Sequence, residues 1–289
     1  MRAVRLRSIQ LNVADLARAE RFYRAALGFE IWAANAGATF TSLAMRLGTD
    51  EIELMAYDTL GAPYPADSRC IDLWFQHFAI VVDDMDKACE RLCEAEPIHA
   101  ISRGGPQRLP PNAGSVTAFK FRDPDGHPLE LLHFPTASAP PRWTRPREGA
   151  IFLGIDHSAI TVADSAASIA FYSEHLGLTV TARSLNRGPE QDFLDDTPGA
   201  VVEVTALSPA ESDSPHVELL RYREPPGGRE MSGHDGPSDI AATQLVFEGQ
   251  RPGGALRDPD GHRLALRPAG WLQVETASPS LVDAPPLRT

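Results

Sequence analysis

One segment near the start of the chain and one past its middle are versions of each other. SIQLNVADLARAERFYRAALGF begins at Ser8 and HSAITVADSAASIAFYSEHLGL begins at His157. They align without a gap at an offset of 149 residues, sharing VAD, FY and LG. A repeat of this length constrains the fold more than any local propensity, because equivalent units associate to bury a shared face. Each copy reads as strand, turn, helix and second strand. Val13 and Val162 end the alternating segment. Asp15 and Asp164 are placed to cap a helix N-terminus, where a carboxylate accepts the first free amide hydrogens. Leu16, Ala19, Phe22, Tyr23 and Ala26 follow at helical spacing, and Gly28 and Gly177 suit the left-handed residue that closes a helix.

A shorter repeat marks where such a unit ends. FRDPDGHPLELLHF starts at Phe121 and LRDPDGHRLALRPA at Leu256. Asp-Pro-Asp-Gly is a turn for backbone reasons, since proline fixes φ and glycine tolerates positive φ. His127 and His262 belong to that turn and carry no catalytic expectation, and Tyr23 and Tyr172 are expected in the core. FQHFAIVVDDMDKACERL from Phe75 and IAATQLVFEG from Ile240 supply two further first strands. The sequence therefore predicts an α+β chain of four β-α-β-β-β modules, starting near residues 4, 75, 153 and 240, the fourth truncated. The expected grouping is two plus two in chain order. Residues 1–134 would hold modules 1 and 2, proline-rich 135–150 a linker, 151–272 modules 3 and 4, and 273–289 a tail. Each pair would form a cup-shaped mixed or antiparallel sheet with helices outside.

Aligning the strands locates candidate chemistry. Counting five residues back from Val13, Val82, Val162 and Phe247 gives Ser8, His77, His157 and Ala242. Aligning the last strands, IELMAY, LELLHF, VELLRY and LALRPA, puts Glu53, Glu130, Glu218 and Ala265 at one position. A carboxylate amid apolar strand residues is costly unless paired or metal-bound, and imidazole with carboxylate suits divalent transition metals. Pairing in chain order predicts a metal site of Glu53, His77 and Glu130, with Ser8 as a fourth contributor. Glu53 or Glu130 would double as the catalytic base. His157 and Glu218 would line a ligand pocket in a second cup, with His216 on the same strand face. The competing reading of the first trio is a cluster held by charge-assisted hydrogen bonds alone.

These residues, VADLARAERFYRAALGF, DHSAITVADSAASIAFYSEHLGL and both RDPDGH segments, resemble the vicinal oxygen chelate superfamily. That superfamily includes glyoxalase I, extradiol dioxygenases, epimerases and bleomycin-resistance proteins. The resemblance implies a cup-shaped sheet holding a divalent metal (Mn, Fe, Co, Ni, Zn or Mg) that binds two neighbouring oxygens of a small-molecule substrate. It implies isomerase, epimerase or lyase chemistry. The alternative is a metal-free binding protein of the bleomycin-resistance type. The two-His, one-Glu set of the extradiol enzymes is not offered by either expected pair.

The remaining expectations are exclusions. A net charge of −12 argues against a nucleic-acid surface. No stretch approaches the roughly 20 apolar residues of a membrane span. Three cysteines, Cys70, Cys89 and Cys93, with no secretory leader, point to a reducing cytoplasmic setting. Exposed sheet edges point to a homodimer.

Overall fold

The structure is a computed structural model that describes residues 3–95, 98–144, 149–211, 214–231, 236–249 and 254–269. The tail 273–289 lies outside the described residues. Module 1 comprises β1 (Ala3–Asn12), α1 (Leu16–Ala25), β2 (Glu30–Ala36), β3 (Phe40–Leu47) and β4 (Asp50–Tyr57). Module 2 comprises β5 (Gln76–Val82), α2 (Met85–Ala95), the short β6 (His99–Ala100) and β7 (Gln107–Arg108), then β8 (Thr117–Arg122) and β9 (Pro128–His133). Module 3 has β10 (Phe152–Thr161), α3 (Ser165–Phe171), β11 (Thr179–Arg187), α4 (Pro189–Leu194), β12 (Val201–Ser208) and β13 (His216–Glu224). Module 4 keeps only β14 (Gln244–Gly249), β15 (Gly254–Arg257) and β16 (Arg263–Pro268). The caps fall where the sequence puts them: Asp15 accepts from Arg18 N, Asp164 accepts from Ala166 N and Ala167 N, and Gly177 takes φ of 70°.

The modules do not pair in chain order. One sheet runs β15-β16-β14-β1-β4-β3-β2 and joins modules 1 and 4. The other runs β11-β12-β13-β10-β5-β9-β8-β6 and joins modules 2 and 3, with β7 beside β8. Each sheet thus draws one module from 1–134 and one from 151–272, so the sheets do not follow those halves. The physical reason is that four equivalent first strands offer four equivalent edges, and the repeat pattern does not choose among them. First strands meet antiparallel as β1 with β14 and β10 with β5. On one face of both sheets, Leu6, Ile52, Phe78, Leu131, Leu219 and Phe247 enter a single core with Phe22 and Tyr23 of α1. Alternate residues on the opposite face of the second sheet line a cup.

The duplicated turn explains the unexpected pairing. Tyr23 OH donates to Asp123 Oδ2 at 2.9 Å, so module 1 meets module 2 through helix and turn rather than through first strands. Asp123 also accepts from Asp125 N, His127 N and the His127 ring. His127 Nε2 then lies 3.0 Å from the carbonyl of Ile240, at the entry to module 4. The second copy repeats the device: Tyr172 OH donates to Asp258 Oδ2 at 3.2 Å, and His262 Nε2 lies 2.9 Å from Thr161 O. Each RDPDGH turn is therefore a staple between sheets, which accounts for its presence with and without the following glutamate.

Both ring nitrogens of His127 face oxygens, an arrangement that favours the imidazolium form, in which both nitrogens donate. Burial opposes that charge, but Asp123 outweighs it and raises the His127 pKa above its ordinary value. A raised folded-state pKa gives stability that is complete below the unfolded value of about 6.5 and is lost as pH rises through the folded value. The destabilisation caused by His127→Asn should therefore shrink as pH rises above the unfolded value of about 6.5 and through the folded one. Thermal midpoints of both proteins across that range check this, and a constant difference would contradict the charged staple.

Candidate metal centre

The cup of the second sheet places four of the aligned residues in a symmetric arrangement. In β5 and β9, Ala79 pairs in parallel with Glu130, and His77 precedes Ala79 by two. In β10 and β13, Ala159 pairs in parallel with Glu218, and His157 precedes Ala159 by two. Between these pairs β10 and β5 run antiparallel, with Ala159 opposite His77 and His157 opposite Ala79. A local two-fold relation thus brings His77, Glu130 and His157 together, with Glu218 beside His157 at the edge of the group. His77 Nε2 lies 3.3 Å from Glu130 Oε2, His157 Nε2 3.5 Å from the same oxygen, and His157 Nε2 3.7 Å from Glu218 Oε2.

The His77–Glu130 separation of 3.3 Å suits two donors of one ion, and the other two separations are slightly longer. All three are longer than the roughly 2.9 Å of good N–H···O bonds. Donors about 2.1 Å from a divalent ion stand roughly 3.0–3.4 Å apart at octahedral to tetrahedral angles. One ligand atom each from His77, Glu130 and His157 lies within 4.8 Å of the others. His77, Glu130 and His157 are buried, and His77 Nδ1 has no hydrogen-bond partner among the described residues.

The surroundings differentiate the two imidazoles. Burial pushes His77 below the usual imidazole range, and Lys120 adds to the effect. For His157 burial acts the same way, but Glu218, Asp156 and Glu130 outweigh it and raise its pKa well above the usual value. Asp156 Oδ2 sits 3.0 Å from His157 Nδ1, which fixes the tautomer that aims Nε2 at the centre. Asp156 is itself held by Trp143 Nε1 at 2.7 Å. Despite burial, hydrogen bonding with His157 and the nearby His216 ring bring the Asp156 carboxyl down to about 2. His216 Nε2 lies 3.4 Å from Glu218 Oε1, on the outer side of the site. Removing the orienting carboxylate, as in Asp156→Asn, should weaken metal binding by about 10–100-fold without abolishing it. Competition with a chromophoric chelator measures this, and unchanged affinity would contradict the orienting role.

The centre lies in a cavity of about 540 Å³. One part of its wall is aliphatic, with Leu109, Val116, Leu132, Leu194, Val202 and Leu220, and polar side chains such as Asn112, Arg183 and Asn186 line the rest. Segment 135–150, expected as a free linker, contributes Pro140, Arg142 and Trp143 to the rim. Trp143 packs with Val81 and Leu153, and Arg142 pairs with Asp50.

The structure corrects the expected ligand set. Glu53 lies in the other sheet, across from the cup that holds His77 and Glu130. There β1 and β4 pair Gln10 with Glu53, and β14 and β16 pair Val246 with Ala265. Gln10 also faces Gln244, so the equivalents of His157, Glu218, His77 and Glu130 are Ser8, Glu53, Gln244 and Ala265. Ala242 precedes β14, so counting back from Phe247 overshot the equivalent position by two residues. Glu53 is satisfied by Gln10 Nε2 and by Ser42 Oγ at 2.8 Å, which explains how it is buried without metal. His157 and Glu218, expected as a separate pocket, instead complete the site of His77 and Glu130. Sequence reasoning gave no role to Asp156 or Lys120; the one available signal for Asp156 was its position directly before His157.

Comparison with known proteins agrees with this architecture. Residues 5–131 and 154–244 match the Glyoxalase/Bleomycin resistance protein/Dioxygenase superfamily. No curated protein sequence matches the chain. Among solved structures, glyoxalase I from Zea mays has a TM-score of 0.60 at 19% identity, covering 92% of this chain and 91% of that one. A single-residue variant of the maize enzyme gives a TM-score of 0.61 at 19% identity, covering 92% and 93%. At that identity the likeness concerns the fold. The matched segments cover most of the chain, which therefore belongs to the Glyoxalase/Bleomycin resistance protein/Dioxygenase superfamily.

Proposed function

We infer that this chain is a glyoxalase-like metalloenzyme whose divalent ion is held by His77, Glu130, His157 and Glu218. The observation that supports the reading is the convergence of His77, Glu130 and His157, related by strand register, with Glu218 3.7 Å from His157, in a cavity of mixed apolar and polar lining. A divalent ion there would act as a Lewis acid on one or both of two neighbouring substrate oxygens. The chain's own groups then divide the work. Glu130 faces two imidazoles, and its side chain is only 7% exposed, so it anchors. Glu218 is 23% exposed and lies near His157 alone, so it would be the most weakly held donor and the carboxylate able to release the ion and take a proton from a carbon beside a carbonyl. His216, beside its other oxygen, restrains that carboxylate. Returning the proton to the neighbouring or opposite position gives isomerisation or epimerisation, and loss of a leaving group gives lyase chemistry.

The actual pairing also offers two imidazoles and one carboxylate, the set associated with iron oxygenases. Glu218 as a fourth donor favours the non-redox reading. The set expected from chain-order pairing, Glu53, His77 and Glu130, is not brought together, because Glu53 lies in the other sheet. Modules 2 and 3 of one chain complete the centre, so a homodimer, if formed through exposed sheet edges, is not needed to build it. Among the described residues no helix is long and apolar enough to cross a membrane. Protein purified without chelators should carry about one divalent ion per chain. Metal analysis with a chelator-treated control, together with oxygen uptake in the iron-loaded form, tests the assignment. A metal-free protein that still binds small aromatic ligands would favour the binding-protein alternative, and rapid oxygen uptake would favour the oxygenase.

A further inference from the structure

A buried cation beside the centre has no part in holding the metal. Lys120 of β8 stands directly opposite Glu130 of β9 in the antiparallel register, so its side chain rises on the cavity face next to that ligand. Its ammonium is 4% exposed and lines the cavity. An ammonium has three N–H donors. One goes to Asp195 Oδ1 at 2.7 Å, and among the described residues no acceptor takes the other two. Asp195, completely buried, also accepts from Gln191 Nε2 and from Tyr222 OH at 2.8 Å. Three donors thus share the Asp195 charge and anchor it. Lys120 is held in place with donor capacity to spare, where a buried polar group without partners is costly.

We propose that Lys120 receives a carboxylate oxygen of the substrate, making the substrate a small 2-hydroxy or 2-oxo acid with an apolar substituent. The inference rests on the metal reading of the neighbouring residues. A carboxylate entering alone would meet Glu130, Glu218 and Asp156, all lining the same cavity. Lys120 offsets that repulsion; of the other cations lining the cavity, Arg142 is engaged with Asp50, and Arg183 of β11 is exposed rather than buried beside Glu130. A 2-oxygenated acid would offer its 2-oxygen and one carboxylate oxygen to an ion held by this group, leaving its other carboxylate oxygen available to Lys120, which stands opposite Glu130. The aliphatic part of the wall, Leu109, Val116, Leu132 and Leu194, accepts the substituent, and a polar chain placed against it would leave its groups unpaired.

The test compares mandelate with mandelamide, which differ in charge and share vicinal oxygens and a phenyl group. Calorimetry uses zinc-loaded wild type and Lys120→Met/Asp195→Asn, a double change that avoids stranding a buried carboxylate. Zinc content is measured in both. The double variant should keep zinc, bind mandelate about tenfold or more weakly, and bind mandelamide within about threefold of wild type. Stoichiometric zinc with equal mandelate affinities, or equal weakening of both ligands, overturns the role of Lys120 alone. Absence of zinc from wild type overturns the metal reading and the bridging geometry with it. If the double variant does not fold, Lys120→Gln against the charge-retaining Lys120→Arg carries the same comparison, with mandelate affinity lost only in the first.

Discussion

His157→Ala is expected to reduce metal affinity by about 100-fold or more, leaving purified protein essentially metal-free. His157 is the hub of the centre. Its Nε2 is 3.5 Å from Glu130 and 3.7 Å from Glu218, and its Nδ1 is anchored by Asp156. Removing it takes away one ligand and leaves two carboxylates facing each other with less compensation. His77→Ala should have an effect of the same order, because His77 occupies the symmetric position across β5 and β10. Glu53→Ala should leave metal content unchanged, since Glu53 lies in the other sheet and bonds to Gln10 and Ser42. Metal content of the three variants beside wild type checks the pattern. Loss of metal in Glu53→Ala with retention in His157→Ala would restore the chain-order pairing.

Asp123→Ala should give the largest loss of stability, about 3–5 kcal/mol. The mutation leaves the buried His127 imidazolium without its anion, and Tyr23 OH and the His127 amide without their acceptor. Asp123 is 5% exposed, so water does not readily substitute. The carboxyl is held below its ordinary pKa because His127 and Tyr23 outweigh the cost of its burial. In a chain of this size the loss corresponds to a fall of roughly 10 °C in thermal midpoint. Asp258→Ala in the second copy should be comparable, as it strands Tyr172 and the His262 amide. Thermal unfolding of both variants measures this. A shift of only a degree or two in Asp123→Ala would show that the turn does not staple the sheets. Metal content should stay near wild type in whatever fraction remains folded, which separates the staple from the site.

Much of this organisation was legible in the sequence, and its errors are informative. Periodicity and caps located the modules, because hydrophobic spacing and an Asp N-cap are local signals. His77, Glu130, His157 and Glu218 were all identifiable as polar residues in apolar strands. Their grouping was not, because strand pairing is decided by contacts across long separations. The contact between Tyr23 and Asp123, which sets modules 1 and 2 against each other through a turn, has no local signature. Glu53 looked like a ligand because burial of a carboxylate demands compensation, and the sequence did not show that Gln10 and Ser42 provide it. Lys120 carried no signal in the sequence. Its significance depends on Asp195, which belongs to module 3 and reaches it only in the folded sheet.

The most direct measurement is the position of the metal in a crystal of protein loaded with zinc or nickel, located by anomalous scattering. The account predicts one strong site per chain between His77, Glu130, His157 and Glu218, with Asp156 bonded to His157 and not to the ion. A site beside Glu53 in the sheet of modules 1 and 4, or no ordered metal at saturating concentration, would contradict it.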